Sequence, residues 1–160
     1  MSSIEATVQS LLEFLSSAYN THDVSPVYPG IVTSDCAIQL VPAAFLKRAG
    51  LPPNMSMTHE QWTGHILKQC PAIASSTMET FDTIIDNPNK KAVVHIRLDV
   101  VLVDKRDFSL EYIIILHFRE ENGEARINKI VEFVDGEAAG PFQGIVGKLA
   151  AKLEAEKGGK

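Results

Sequence analysis

The chain has 160 residues, 45% of them hydrophobic, and a net charge of −5, enough for one domain with a real core and too little for two. The acidic balance, with no Lys/Arg cluster, excludes a nucleic-acid surface. No stretch approaches the roughly 18 to 20 apolar residues of a membrane span, and no N-terminal apolar run reads as a signal peptide, so the expectation is a cytoplasmic protein without membrane contact.

Ser2 to Tyr19 has apolar residues at Ile4, Val8, Leu11, Leu12, Leu15 and Tyr19, the three- and four-residue spacing of an amphipathic helix, with Ser2 and Glu5 as a capping box. Pro26, Pro29 and Gly30 make Thr21 to Gly30 a loop, and His22 and Asp23 there are read as solvated. Ser34 to Val41 is a short strand ended by Pro42; Gln39, its mid-strand polar residue, is expected to face a cavity. Pro42 to Met57 is loop, with a turn or two of helix over Ala43 to Arg48. Thr58 opens a second helix whose buried side is Trp62, Ile66, Leu67 and Cys70, and Pro71 closes it. His65 lies beside that stripe and is expected to look inward, whereas His59, in the first turn, is expected to be solvated. Cys36 and Cys70 have neither Cys-x-x-Cys nor metal-ligand spacing and are read as reduced core residues. Metal-ligand clusters, phosphate-binding glycine loops and nucleophile elbows are missing from the sequence.

Ser76 to Asn87 alternates as a strand, and Asn87-Pro88-Asn89-Lys90 is a turn. Three further strands follow. Ala92 to Val103 sets Val94, Ile96, Leu98, Val100 and Leu102 on one face and His95, Arg97 and Asp99 on the other. Ser109 to Arg119 is apolar on both faces, as a strand covered on both sides would be. Arg126 to Val134 is the last. A four-residue loop, Asp104 to Asp107, in the first hairpin sets Asp99 beside Tyr112. In the second, a three-residue loop Glu121-Asn122-Gly123 places Tyr112 opposite Glu132 and Leu116 opposite Asn128. A two-residue Asn122-Gly123 turn is the other option and sends Glu132 to the opposite face, because side chains alternate with period two. With the preferred registers one sheet face carries His95, Arg97, Asp99, Tyr112, Asn128 and Glu132, too polar for an ordinary core. The outer face keeps Ile113, Ile115, Val131 and Phe133, an apolar patch that predicts a homodimer through the sheet. A final helix starting near Pro141 buries Phe142, Ile145, Val146, Leu149 and Leu153, and residues 154–160 are expected to fray. The whole chain, 1–160, is one α+β domain in which a curved antiparallel sheet wraps around the helices.

The element order, with EYIIILHF (111–118) followed by INKIVEFVD (127–135), resembles the fungal SnoaL-like group of the nuclear transport factor 2-like fold. That group includes isomerases and cyclases of meroterpenoid and indole-alkaloid biosynthesis; its wider relatives include scytalone dehydratase and ketosteroid isomerase. The resemblance implies a cone-shaped cavity between sheet and helices, no cofactor, often a homodimer, and a hydrophobic polycyclic substrate from secondary metabolism. It also implies catalytic roles for Tyr112, Glu132 and His65. One departure is Ile38-Gln39 on the early strand, where relatives carry a basic or aromatic residue.

Elementary chemistry points the same way. A carboxylate in an apolar cavity has its pKa raised, because burial disfavours the charged form, and can then serve as acid or base near neutrality. Glu132 is expected in that role, Tyr112 as hydrogen-bond donor to a developing oxyanion, and His65 as second proton carrier. Arg97, Asp99, Asn128, Gln39 and His95 are the candidates for positioning substrate, although consecutive charges on one face more often satisfy one another in a structural or interface network. The expected activity is cofactor-independent isomerisation or cyclisation by acid/base catalysis. The alternatives are a scytalone-type dehydratase and a non-catalytic binding module whose cavity side chains fill.

Overall fold

A computed structural model describes residues 2–159. The first helix, α1 (Ile4–Thr21), buries Ile4, Val8, Leu11, Phe14 and Ala18 along one side. Its cap is Ser3, whose hydroxyl accepts from the Ala6 N–H, instead of the expected box of Ser2 and Glu5. The helix ends on His22 in the left-handed conformation (φ 57°), whose N–H reaches the Ala18 carbonyl at 2.9 Å.

Strand β1 (Val32–Val41) starts two residues before the expected boundary. Pro42 then leads into α2 (Ala43–Arg48), the short helix foreseen there. A three-residue strand, β2 (Ser56–Thr58), lies within the segment expected to be loop; it pairs antiparallel with Ala37–Gln39 of β1. Thr58 caps α3 (His59–Gln69) through a reciprocal box with Gln61, and a 3-10 turn at Cys70–Ala72, carrying Pro71, delivers the chain to the sheet.

The long strands are β3 (Ile73–Asp86), β4 (Lys91–Leu102), β5 (Asp107–Glu121) and β6 (Glu124–Val134). They form one six-stranded sheet in the order β2-β1-β6-β5-β4-β3. The α+β class is as expected, with one correction: β1 runs parallel to β6, so the sheet is mixed and not wholly antiparallel. The concave face carries two adjoining apolar clusters. One packs α1 and α3 against Val94, Ile96, Ile114, Leu116 and Ile130. The other packs α2 and α4 (Gly136–Gly158) against Leu98, Val100, Leu102 and Leu110.

Both hairpin registers differ from expectation, for reasons of turn chemistry. In the first, Leu102 and Arg106 close the ladder (N–H to O, 2.8 Å) and the loop is Val103-Asp104-Lys105, with Lys105 at φ 72°. A three-residue loop ending in a left-handed residue is a standard hairpin solution. It pairs Arg97 with Glu111 and Asp99 with Ser109, where the expected four-residue loop set Asp99 beside Tyr112. The parity change moves His95, Arg97 and Asp99 to the outer face.

In the second hairpin, Glu121 pairs with Glu124 across a two-residue Asn122-Gly123 turn, both turn residues having positive φ, as a type I′ turn requires. That turn alone would point Glu132 outward. It does not, because a bulge intervenes: Phe118 pairs with Ile127 and His117 with Lys129, leaving Asn128 unpaired. Beyond the bulge Ile114 pairs with Glu132 and Tyr112 with Val134. Glu132 and Tyr112 therefore share the concave face, as expected, through a different register.

The last helix also begins earlier than foreseen. Asp135 caps it by accepting from the Glu137 N–H at 3.0 Å, which puts Pro141 inside the helix and not in its first turn. It buries Ala139, Phe142, Val146 and Ala150, and runs on to Gly158 through the segment expected to fray.

Candidate active site

Between the concave face and α1, α3 and α4 lies an open cavity of about 520 Å³, within the usual size range of small-molecule sites. It is not filled by side chains, as a non-catalytic module was expected to be. Its wall is mainly apolar and includes Leu40, Phe45, Met57, Trp62, Met78, Ile96, Leu98 and Ile114. Six polar side chains interrupt it: Tyr19, His65, Gln69, Tyr112, Glu132 and Gln143.

Glu132 is the chemically distinct group. It is 9% exposed, on the central strand β6, with Ile114 as its cross-strand neighbour. Among the described residues its carboxyl has neither a salt-bridge partner nor a side-chain hydrogen bond. Burial alone pushes its pKa up to about 7. At neutral pH the protonated and ionised forms are thus comparably populated, as a proton-transfer group requires.

Tyr112 and Tyr19 line the same cavity and lie close enough to this carboxyl to feel its charge. Burial, reinforced by Tyr19 and Glu132, holds the Tyr112 hydroxyl well above its ordinary pKa, and burial followed by Glu132 does the same to Tyr19. Both therefore remain neutral phenols. The Tyr112 hydroxyl has no hydrogen-bond partner among the described residues. Tyr19, in contrast, donates to Gln69 Oε1 at 2.7 Å, and Gln69 Nε2 donates to Gln143 Oε1 at 2.8 Å.

His65 lies at the exposed end of this chain, with Nε2 3.0 Å from both Gln143 Oε1 and Gln69 Nε2. It lines the cavity as expected, but its hydrogen-bond partners are the two glutamines and not Glu132. The sequence reading missed Tyr19, Gln69 and Gln143. A usable signal was present for Gln69, four residues after His65 and so on the same helical face. For Tyr19, a phenol ending an otherwise apolar stripe called for a polar partner.

Five residues expected to position substrate lie elsewhere. His95, Arg97 and Asp99 are on the outer face, where His95 Nε2 meets Glu111 Oε1 at 2.5 Å, Arg97 bridges Glu79 (2.7 Å) and Asp99 (3.2 Å), and Ser109 donates to Asp99 at 2.7 Å. Phe81 packs beside them, 4.9 Å from the His95 ring and 5.5 Å from the Arg97 guanidinium carbon. Gln39 registers with Val131 on that same outer face, while its neighbour Leu40 lines the cavity. Asn128 is the bulge residue, with a buried Oδ1 that has no partner among the described residues.

His59 is corrected too: it is buried, stacked on Tyr28 with ring centroids 4.8 Å apart, and 3.1 Å from Glu60. Cys36 and Cys70 are free and buried as expected, and burial pushes the Cys36 thiol up to about 12. Among the described residues no group of three His, Cys, Asp or Glu could hold a metal ion, and no helix is long and apolar enough to cross a membrane.

No protein-family model and no curated protein sequence matches the chain. Solved structures do. The pinacolase BvnE from Penicillium brevicompactum is 15% identical with a TM-score of 0.68, covering 93% of this chain and 99% of its own. AusH from Aspergillus nidulans is 19% identical with a TM-score of 0.62, covering 84% and 87%. IdmH, a putative polyketide cyclase from Streptomyces antibioticus, is 16% identical with a TM-score of 0.58, covering 82% and 94%. A nuclear transport factor 2-like protein from Burkholderia pseudomallei is 20% identical with a TM-score of 0.59 over 86% of this chain and 94% of its own. The helices packed in the curve of the sheet, the cavity they enclose and these likenesses together give the chain the nuclear transport factor 2-like cone fold.

Proposed function

We propose that the protein is a cofactor-independent isomerase or cyclase that acts by general acid/base catalysis on a hydrophobic polycyclic intermediate of secondary metabolism. The observation that carries this reading is Glu132: one buried carboxyl without a charge partner among the described residues, poised near neutrality in an apolar cavity of about 520 Å³. Ionised, it abstracts a proton from an activated carbon or hydroxyl; protonated, it returns that proton at a second position. Tyr112, a neutral phenol with an uncommitted proton, stabilises the oxygen on which negative charge develops. Ketosteroid isomerase likewise sets a carboxylate base to work with a phenol donor, and the pairing here follows the same logic. Trp62, Met57, Met78 and Leu98 supply shape and exclude water, which strengthens every polar contact inside. The names pinacolase and putative polyketide cyclase, borne by proteins of the same fold, support a skeleton-rearranging or ring-forming step.

The test is turnover of polycyclic terpenoid and alkaloid intermediates by the wild-type protein and by Glu132→Gln, followed by mass spectrometry. A Glu132-dependent product of unchanged mass is expected. Loss of one water would make the reaction a dehydration, and turnover surviving Glu132→Gln would remove Glu132 from the mechanism.

For the outer face the proposal is a homodimer. Ile113, Phe133 and Phe81 are each more than two-fifths exposed there, around the closed ion-pair network of Arg97. Sedimentation equilibrium decides this, with a monomer at micromolar concentration as the contrary result.

A further inference from the structure

The two phenols of the cavity differ in one respect that bears on what can bind. Tyr19 already donates its O–H to Gln69 Oε1, and Gln69, itself 3% exposed, is held in that orientation by donating its amide to Gln143 Oε1. Either tautomer of His65 preserves this direction, since its Nε2 can donate to Gln143 Oε1 or accept the second Gln69 N–H. What Tyr19 offers the cavity is therefore an oxygen lone pair. Tyr112, which has no partner among the described residues, offers a proton.

We propose that the substrate presents a hydrogen-bond donor, a hydroxyl or N–H, to Tyr19 and a carbonyl to Tyr112, both on one apolar polycyclic skeleton. This deepens the acid/base reading and rests on the cavity being the substrate site. Hydrophobic walls discriminate weakly between skeletons of similar size, whereas a buried polar group left unmatched is penalised. The pair of phenols, one accepting and one donating, is the part of this cavity that selects on chemistry. An ether or a second ketone in place of the donor would set two lone pairs against each other at Tyr19.

Gln69 is in this view a positioning residue: it acts through Tyr19, by accepting the phenol's hydrogen bond. His65, hydrogen-bonded to the glutamines at the rim, belongs to the same frame.

Trp62 makes the test direct, because it is the chain's one tryptophan and lines the cavity. The probes are tricyclic and tetracyclic hydroxyketones, with the hydroxyl at varied positions, their O-methyl ethers and their deoxy parent ketones, titrated by quenching of Trp62 fluorescence. At least one hydroxyketone is expected to bind about tenfold or more tighter than both of its matched counterparts. Tyr19→Phe should bring that hydroxyketone down to the affinity of its ether and leave the deoxy ketone unchanged. Gln69→Leu, which frees the Tyr19 proton, should narrow or invert the preference, a result that a purely structural Gln69 would not produce. Circular dichroism of both variants establishes that the fold is kept. Equal affinity across each matched set, or failure of the whole panel to perturb Trp62, overturns the proposal. Preferential binding without Glu132-dependent turnover sinks the acid/base reading alone; Glu132-dependent turnover without the preference sinks this one alone.

Discussion

The two faces of strands β4 to β6 carry ionisable groups in opposite ways. On the outer face His95, Arg97, Asp99 and Glu111 are paired, Arg97 also with Glu79 of the neighbouring strand β3; in the cavity Glu132 is the one carboxyl, and among the described residues it has no charged partner. Residues one position apart in the chain thus live in different chemical regimes. Charges that neutralise one another at a partly solvated surface contribute little and do little, whereas isolation in an apolar wall pushes a carboxyl up to about 7. The number of charged residues in a stretch is accordingly a poor guide to where chemistry happens.

The contrast can be broken most severely at Glu132. Glu132→Gln keeps shape and volume but removes the titration, and turnover is expected to fall by about 10²- to 10⁴-fold, measured as kcat at saturating substrate. Next comes pH. The folded protein holds the Glu132 proton up to about pH 7, while the unfolded chain loses it near 4.5. Between those values the native state binds more protons, so stability falls as pH rises and levels off above about 7, by ~3 kcal/mol in all. Urea midpoints across this range should show the decline in wild type and a much shallower one in Glu132→Gln. Tyr112→Phe removes one donor to the developing charge, for an expected loss of about 10²- to 10³-fold in kcat. At the small end, Arg97→Ala should change unfolding free energy by no more than about 1 kcal/mol and leave kcat alone. If it instead abolishes turnover in a protein shown to be folded and dimeric, the outer face is catalytic and the contrast is wrong.

Much of the architecture is legible from the residues. Alternation along β4 to β6 and the apolar stripes of α1 and α3 identify elements, core and fold class, because period is a local property of the chain. Parity is less accessible. Whether Arg97 faces the same way as Tyr112 turns on one residue of loop length, and Val103-Asp104-Lys105 needs a left-handed lysine to be chosen over a four-residue loop. Glu132 and Tyr112 share a face although the turn that forms is not the one expected, since the bulge offsets the turn. Tyr19 and Gln143 come from opposite ends of the chain, and no local pattern could join them.

The bulge at Asn128 means that β6 is one residue longer than its pairing with β5 requires. Phe118–Ile127 and His117–Lys129 would be successive rungs of an unbroken ladder if Asn128 were absent. The strand therefore carries slack. A single-residue deletion between Ile127 and Lys129 can be absorbed by closing the bulge, with Glu132 still turned toward the cavity and the unpartnered Asn128 Oδ1 gone. A loss at Lys129, Ile130 or Val131 with the bulge kept would instead rotate the carboxyl out of the site. This is the point in the strand where chain length can drift while the active group stays in phase.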